Sequence, residues 1–201
     1  MRGAGWAELE ARRQQEQLAF LAGGAELEVG SPDVCPLPVE QLEAVRGDEP
    51  WVREVFDGGL TARVFRIHAA GRDWTLKKAR ARAGVHNVDG QTSFLNEIQR
   101  RADLMRLKSE PGGVQRFAGI VDTQYASLRR GILLSPWIEG AVAQTWDERS
   151  LGQLFEQLVE LYLAGLFEWD LCPGNILDDG RQLMLFDFGY MYRFDPLTQF
   201  N

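Results

Sequence analysis

The sequence predicts an α+β protein, arranged as one compact unit or as two small lobes with a cleft between them. Three observations carry that expectation. Between Trp51 and Ile138, three strand-like stretches, one helical stretch and two further strand-like stretches follow in order. From Leu151 to Tyr162, apolar residues recur at helical spacing. After Asn175, the run Ile176-Leu177, the turn Asp178-Asp179-Gly180 and the alternation Leu183-Met184-Leu185-Phe186 read as a β-hairpin.

Taken in order, Ala7 to Leu21 reads as a charged amphipathic helix ended by Gly23-Gly24, with Trp6, Leu9, Leu18 and Leu21 free to dock. Ser31-Pro32 through Pro36-Leu37-Pro38 reads as a loop. Residues 1–50 therefore form an N-terminal helical extension, which braces the next unit or binds a partner. In residues 51–138, Asp73-Trp74-Thr75-Leu76-Lys77-Lys78-Ala79 has strand character, and Ser93-Phe94-Leu95-Asn96-Glu97-Ile98 opens a helix. The two later strands are separated by Ser127-Leu128-Arg129-Arg130-Gly131. In residues 139–201, Thr145-Trp146-Asp147-Glu148 is a capping box. It starts a helix whose stripe of Leu151, Leu154, Phe155, Leu158, Leu161 and Tyr162 reads as core packing.

Composition narrows the function classes. A hydrophobic share of 45% suits a folded globular chain. The net charge of −7 argues against a dedicated nucleic-acid binder, which needs clustered Lys and Arg. Arg80-Ala81-Arg82 and Arg100-Arg101 read as solvated faces. The two cysteines, Cys35 and Cys172, suit a reducing compartment, and neither His68 nor His86 has metal-ligand spacing. With neither an apolar span nor a leader pattern in the sequence, the expected location is cytoplasmic, or that of an effector secreted without a leader.

The densest chemistry lies between Asp170 and Gly189, which reads Asp-Leu-Cys-Pro-Gly-Asn, then the hairpin, then Asp-Phe-Gly. Asp170, Asn175 and Asp187 fall at the spacing phosphoryl transfer needs for a catalytic carboxylate, a metal-binding amide and a metal-binding carboxylate. Such chemistry depends on positioning and charge neutralisation, and hard Mg²⁺ accepts one or two protein oxygens plus phosphates.

On these residues the chain resembles the protein kinase superfamily, with its H-R-D-x-x-x-x-N and D-F-G patterns. The resemblance implies a bilobal fold with a five-stranded antiparallel N-lobe, one helix in it, and a reduced, mostly helical C-lobe. It implies ATP and Mg²⁺ as cofactors. Asp170 would be the catalytic base, Asn175 and Asp187 the Mg²⁺ ligands, Lys77 the phosphate lysine and Glu97 its partner. A slip of one residue on the strand would give Lys78 the role of Lys77. Phe56-Asp57-Gly58-Gly59-Leu60-Thr61-Ala62-Arg63-Val64 stands where the glycine-rich phosphate cover belongs, with only Gly59 matching a glycine position. Gly58, Gly59 and Val64 are its nucleotide contacts, and Asp57 must point away from the phosphates. Ser135 takes the gatekeeper position, and adenine would bond the Pro136 carbonyl and the Ile138 amide.

The departures bear on activity. Glu168-Trp169 replaces His-Arg, which removes the receptor for a phosphorylated activation loop. Cys172 stands where the family places a charged or imidazole side chain near the transferred phosphate. Only Tyr190 to Asn201 follow the metal loop. The leading expectation is a minimal Ser/Thr protein kinase. The alternatives are a small-molecule kinase acting on a sugar or lipopolysaccharide component, which the Pro-Gly-Asn wording favours, and a nucleotide-binding pseudokinase acting as a binding module.

Overall fold

The structure, a computed structural model, describes residues 26–59, 62–80, 85–142, 147–168 and 170–194, with side chains in the long central helix described from Phe94 onward. The expected helix Ala7–Leu21, and Leu60, Thr61, Thr145, Trp146 and Trp169, lie outside the described residues.

An antiparallel sheet organises the first half. Its strands are β1 (Glu28–Gly30), β2 (Val52–Phe56), β3 (Ala62–Ala69), β4 (Arg72–Ala79), β5 (Tyr125–Ser127) and β6 (Ile132–Pro136), in spatial order β1-β5-β6-β4-β3-β2. The expected sequence of three strands, a helix and two strands is present as β2, β3, β4, the helix α2 (Val85–Ser109), β5 and β6. β3 turns into β4 through Ala70 and Gly71, both at positive φ, as a two-residue hairpin loop requires.

The sheet has six strands where five were expected. Glu28–Gly30 adds to β5 with Val29 opposite Ala126, because Val29 can bury itself under α2 beside Phe94, Ile98 and Leu133. The reading of residues 31–38 as a loop also needs correction, since Ser31 caps a 3₁₀ turn at Pro32–Val34 and Pro38 leads into the helix α1 (Val39–Ala44). Six residues with two buried apolar side chains are too few for a periodic signal. Val39, Leu42 and Val45 cover the outer face of the sheet against Phe65, Ile67, Trp74 and Leu76. The α1 face of β4 is therefore buried at Trp74 and Leu76, while Thr75, Lys77 and Ala79 on the α2 face are half-buried.

The second half is less helical than expected. Among its described residues it has one long helix, α4 (Glu148–Leu163), and five short strands: β7 (Ala141–Val142), β8 (Leu166–Glu168), β9 (Ile176–Asp178), β10 (Leu183–Leu185) and β11 (Met191–Arg193). α3 (Gly113–Arg116) connects the halves. β9 and β10 form the expected hairpin, with Leu185 opposite Ile176, and β11 pairs with β8. Leu104 and Leu107 of α2 join Phe117, Ile120, Leu161, Ile176, Leu183, Leu185 and Phe188 in one core, so α2 serves both halves.

The stripe on α4 is mostly not core. Leu161 is buried and Leu154 packs partly, whereas Leu151, Phe155 and Tyr162 are exposed, Phe155 by 67%. The apolar stripe is wider than the surface that β8 and β10 offer it. The helix cap is Asp147, whose carboxylate accepts the Ser150 N–H at 2.7 Å. Among the described residues, no helix is long and apolar enough to cross a membrane.

Candidate functional site

Strand alternation separates the two adjacent lysines of β4. Trp74 and Leu76 face the α1 side, and Lys78 follows them, its Nζ donating to the Val45 carbonyl at 3.1 Å. Lys77 faces α2. Its Nζ donates to Glu97 Oε2 at 2.6 Å and lies 3.0 Å from Asp187 Oδ1. Burial alone would lower the Lys77 pKa, yet Glu97 and Asp187 outweigh it and hold the ammonium above its ordinary value. Val64 sits opposite Lys77 in the β3–β4 ladder and so shares its face.

Glu97 is only 2% exposed and meets a second cation, Arg101, one helical turn on, with Arg101 Nη2 donating to Glu97 Oε1 at 3.4 Å. Arg101 also donates to the Val121 carbonyl at 2.8 Å and lies with its guanidinium carbon 4.6 Å from the centroid of the Phe188 ring. Burial pushes its pKa below the ordinary arginine value. On the neighbouring position of the helix, Asn96 Nδ2 donates to the carbonyls of Gly189 and Met191, both at 2.8 Å. Sequence reasoning missed both residues. Arg101, read as a solvated face, is buried; its place four residues after Glu97 was the available signal.

β8 delivers the chain to Asp170, whose backbone N–H donates to Glu168 Oε1 at 2.9 Å. Asn175, at the end of a 3₁₀ turn over Pro173–Asn175, donates from Nδ2 to the Asp170 carbonyl at 3.0 Å and to Asp170 Oδ2 at 3.1 Å. The Phe186 N–H donates to the Asn175 carbonyl at 3.2 Å. That bond closes the hairpin and sets Asn175 beside Asp187. Asp187 lies at φ +66°, a left-handed conformation uncommon outside glycine. Burial would raise its pKa, but Lys77 above all brings the carboxyl below the ordinary aspartate value.

Among the described residues, no group of three or more His, Cys, Asp or Glu side chains is arranged to hold a metal ion. The available set is one carboxylate, Asp187, and the side-chain oxygen of Asn175, on the amide branch opposite the one that engages Asp170. Such a pair fits a hard cation that fills its remaining positions with phosphate and water, and does not fit a site built from protein ligands alone.

Gly58 and Gly59 lie between β2 and β3. A Cβ on Gly59 would stand 2.6 Å from the Ala62 carbonyl oxygen, so the turn admits only glycine there. Asp57 is engaged by Arg63 at 3.1 Å and by Arg80. Its charge is compensated from within the protein. At the end of β6, Pro136 lies opposite Trp74, and the next residue, Trp137, donates its N–H to the Asp73 carbonyl at 3.3 Å. Alternation along the ladder then turns the Pro136 carbonyl away from β4, a place where proline costs no sheet bond. Ile138 follows, half-buried. Ser135 is buried on the face shared with Thr75 and Lys77, and its hydroxyl has no partner in the protein.

No family model matches the chain, and no curated protein does. Among solved structures, the crystal structure of WbdD is similar at a TM-score of 0.51 and 20% identity, over 72% of this chain. The chain spans 34% of the length of WbdD. At that identity the likeness concerns the fold alone, which is loosely kinase-like.

Proposed function

We propose that the protein is an ATP- and Mg²⁺-dependent phosphotransferase that transfers the terminal phosphoryl group to a hydroxyl, with protein Ser and Thr side chains as the acceptors. The single observation that carries this reading is Lys77 held between Glu97 at 2.6 Å and Asp187 at 3.0 Å, beside the Asp170–Asn175 turn. A binding scaffold has no chemical need to bury that ion cluster.

Bound MgATP would supply the transferable group and neutralise its charge. In this reading Lys77, already ionised, draws the phosphates against β4, and Glu97 prevents the lysine from turning away. Asp187 and Asn175 would hold the cation. Asp170, fixed by Asn175 and by its own N–H on Glu168, orients the acceptor hydroxyl and takes its proton. Gly58 and Gly59 let the backbone approach phosphate, and the Pro136 carbonyl and Ile138 amide receive the adenine edge.

Calorimetry of MgATP binding to the wild type and to Asp187→Ala tests the site. The reading requires metal-dependent binding that the variant loses. Labelled ATP with protein extracts then tests the acceptor, transfer being abolished in Asp170→Ala. Binding without transfer would make the protein a nucleotide-binding module, and labelling confined to small metabolites would replace the protein acceptor with a small molecule.

A further inference from the structure

Two buried polar side chains of α2, Asn96 and Arg101, have no chemical role in the reaction proposed above, yet both reach the segment that carries Asp187. An amide taken out of water is costly unless its donors are used, and the Asn96 donors are used on Gly189 and Met191, on either side of Tyr190. Arg101 adds its guanidinium on the Phe188 ring while it holds the carboxylate of Glu97 and the Val121 carbonyl. Together with the Lys77–Asp187 pair, the segment is fastened at Asp187, Phe188, Gly189 and Met191, all to α2 or to the lysine that α2 holds. The conformation so fastened includes the left-handed Asp187, which an unrestrained chain would seldom adopt.

We infer that Asn96 and Arg101 are positioning residues that hold the Asp187–Met191 segment on α2 in the nucleotide-free protein, so that the metal-binding carboxylate is set before the ligand arrives. The inference rests on the reading of Asp187 as a metal ligand. Its consequence is quantitative. A ligand that needs one arrangement of a segment loses apparent affinity in proportion to the fraction of molecules that leave it. MgATP needs the segment, whereas adenosine, which meets only the C-terminal end of β6 and the sheet, does not.

The test uses the full chain and the variants Asn96→Leu, which keeps the number and branching of side-chain heavy atoms and removes both donors, and Arg101→Met, which keeps an apolar contact on Phe188 and removes the charge. Arg106→Ala, an exposed change on the same helix, is the control. Hydrogen exchange of the ligand-free proteins and calorimetry with MgATP and with adenosine are read together. In Asn96→Leu, exchange across residues 187–193 accelerates while β2, β3 and β4 stay protected, MgATP binding weakens by about tenfold or more, and adenosine binding changes by less than about twofold. Unchanged exchange in that segment, or equal loss of both ligands, overturns the inference. Should Asn96→Leu not fold, Arg101→Met decides by the same two readouts. If the wild type binds no MgATP, the phosphotransferase reading falls, and the exchange result alone decides whether α2 fastens the segment.

Discussion

Replacing Glu97 with glutamine removes one negative charge from a buried cluster that contains two cations, Lys77 and Arg101, and one other anion, Asp187. Lys77 is 12% exposed on its side chain and Glu97 is 2% exposed, so solvent screens little of the change. The substituted amide still accepts a bond from Lys77, which exchanges a charge-assisted hydrogen bond for a neutral one, and Asp187 still offers Lys77 a counter-charge. Breaking one partner of a buried pair costs about 3–5 kcal/mol, and these residual contacts reduce the expected loss to about 2–4 kcal/mol. In a chain of this size that lowers the melting temperature by roughly 5–15 °C. Urea unfolding at pH 7, followed by tryptophan fluorescence and far-ultraviolet dichroism, measures it. Lys77→Met and the double variant complete a cycle in which the double change costs at least about 1.5 kcal/mol less than the two single changes added. The deficit of Glu97→Gln stays level from about pH 5 to 9. Lys77, raised above the ordinary 10.5, contributes fully below that value and loses its share only as pH rises through its folded pKa. Asp187, lowered below the ordinary 3.8, contributes above that value and loses its share as pH falls through its folded pKa. A loss under about 1 kcal/mol, or strict additivity in the cycle, refutes the description of this cluster as a coupled buried unit.

Leu42→Ala, on the short helix over the outer face of the sheet, destabilises the protein by about 2–5 kcal/mol in the same urea assay, because Leu42 is fully buried. On α4, Leu161→Ala costs a similar amount while Phe155→Ser stays within about 0.5 kcal/mol, and the reverse order would mean that the helix packs by its other face. Burial pushes the Cys35 thiol up to about 11. In a Cys172→Ser background, its alkylation by iodoacetamide is therefore slow at pH 8 and faster by about a hundredfold at pH 10, and a rate at pH 8 equal to that of free cysteine contradicts this.

The parts of the fold that were legible in the sequence are those with a dense local pattern. Asn175 and Asp187 bracket a hairpin written in apolar alternation around Asp-Asp-Gly, and the β9–β10 register follows it. The choice of Lys77 over Lys78 was only partly legible, because Trp74 and Leu76 identify an apolar face while the opposite face is half-buried too. The α4 stripe misled for a related reason. Periodicity states which residues share a face, and only the neighbouring elements decide how much of that face is covered. β1 and α1 went unseen because three or six residues carry no period; their burial comes from partners distant in the chain. In the candidate site, the titratable residues were conspicuous by type and spacing, whereas Asn96 acts on backbone carbonyls, which no side-chain pattern announces.

The partnership of β1 with β5 also has a consequence for synthesis. Glu28 bonds to the hydroxyl of Tyr125, 97 residues later in the chain. At ribosomal speed β1 waits roughly 5–20 s for its neighbour, with Val29 lacking Ala126 and Leu133 from its native cover throughout. A nascent chain in that interval exposes an unpaired strand together with the apolar side chain at its centre. Its yield in cells should therefore depend on holdase chaperones and on translation rate more than its final stability would suggest.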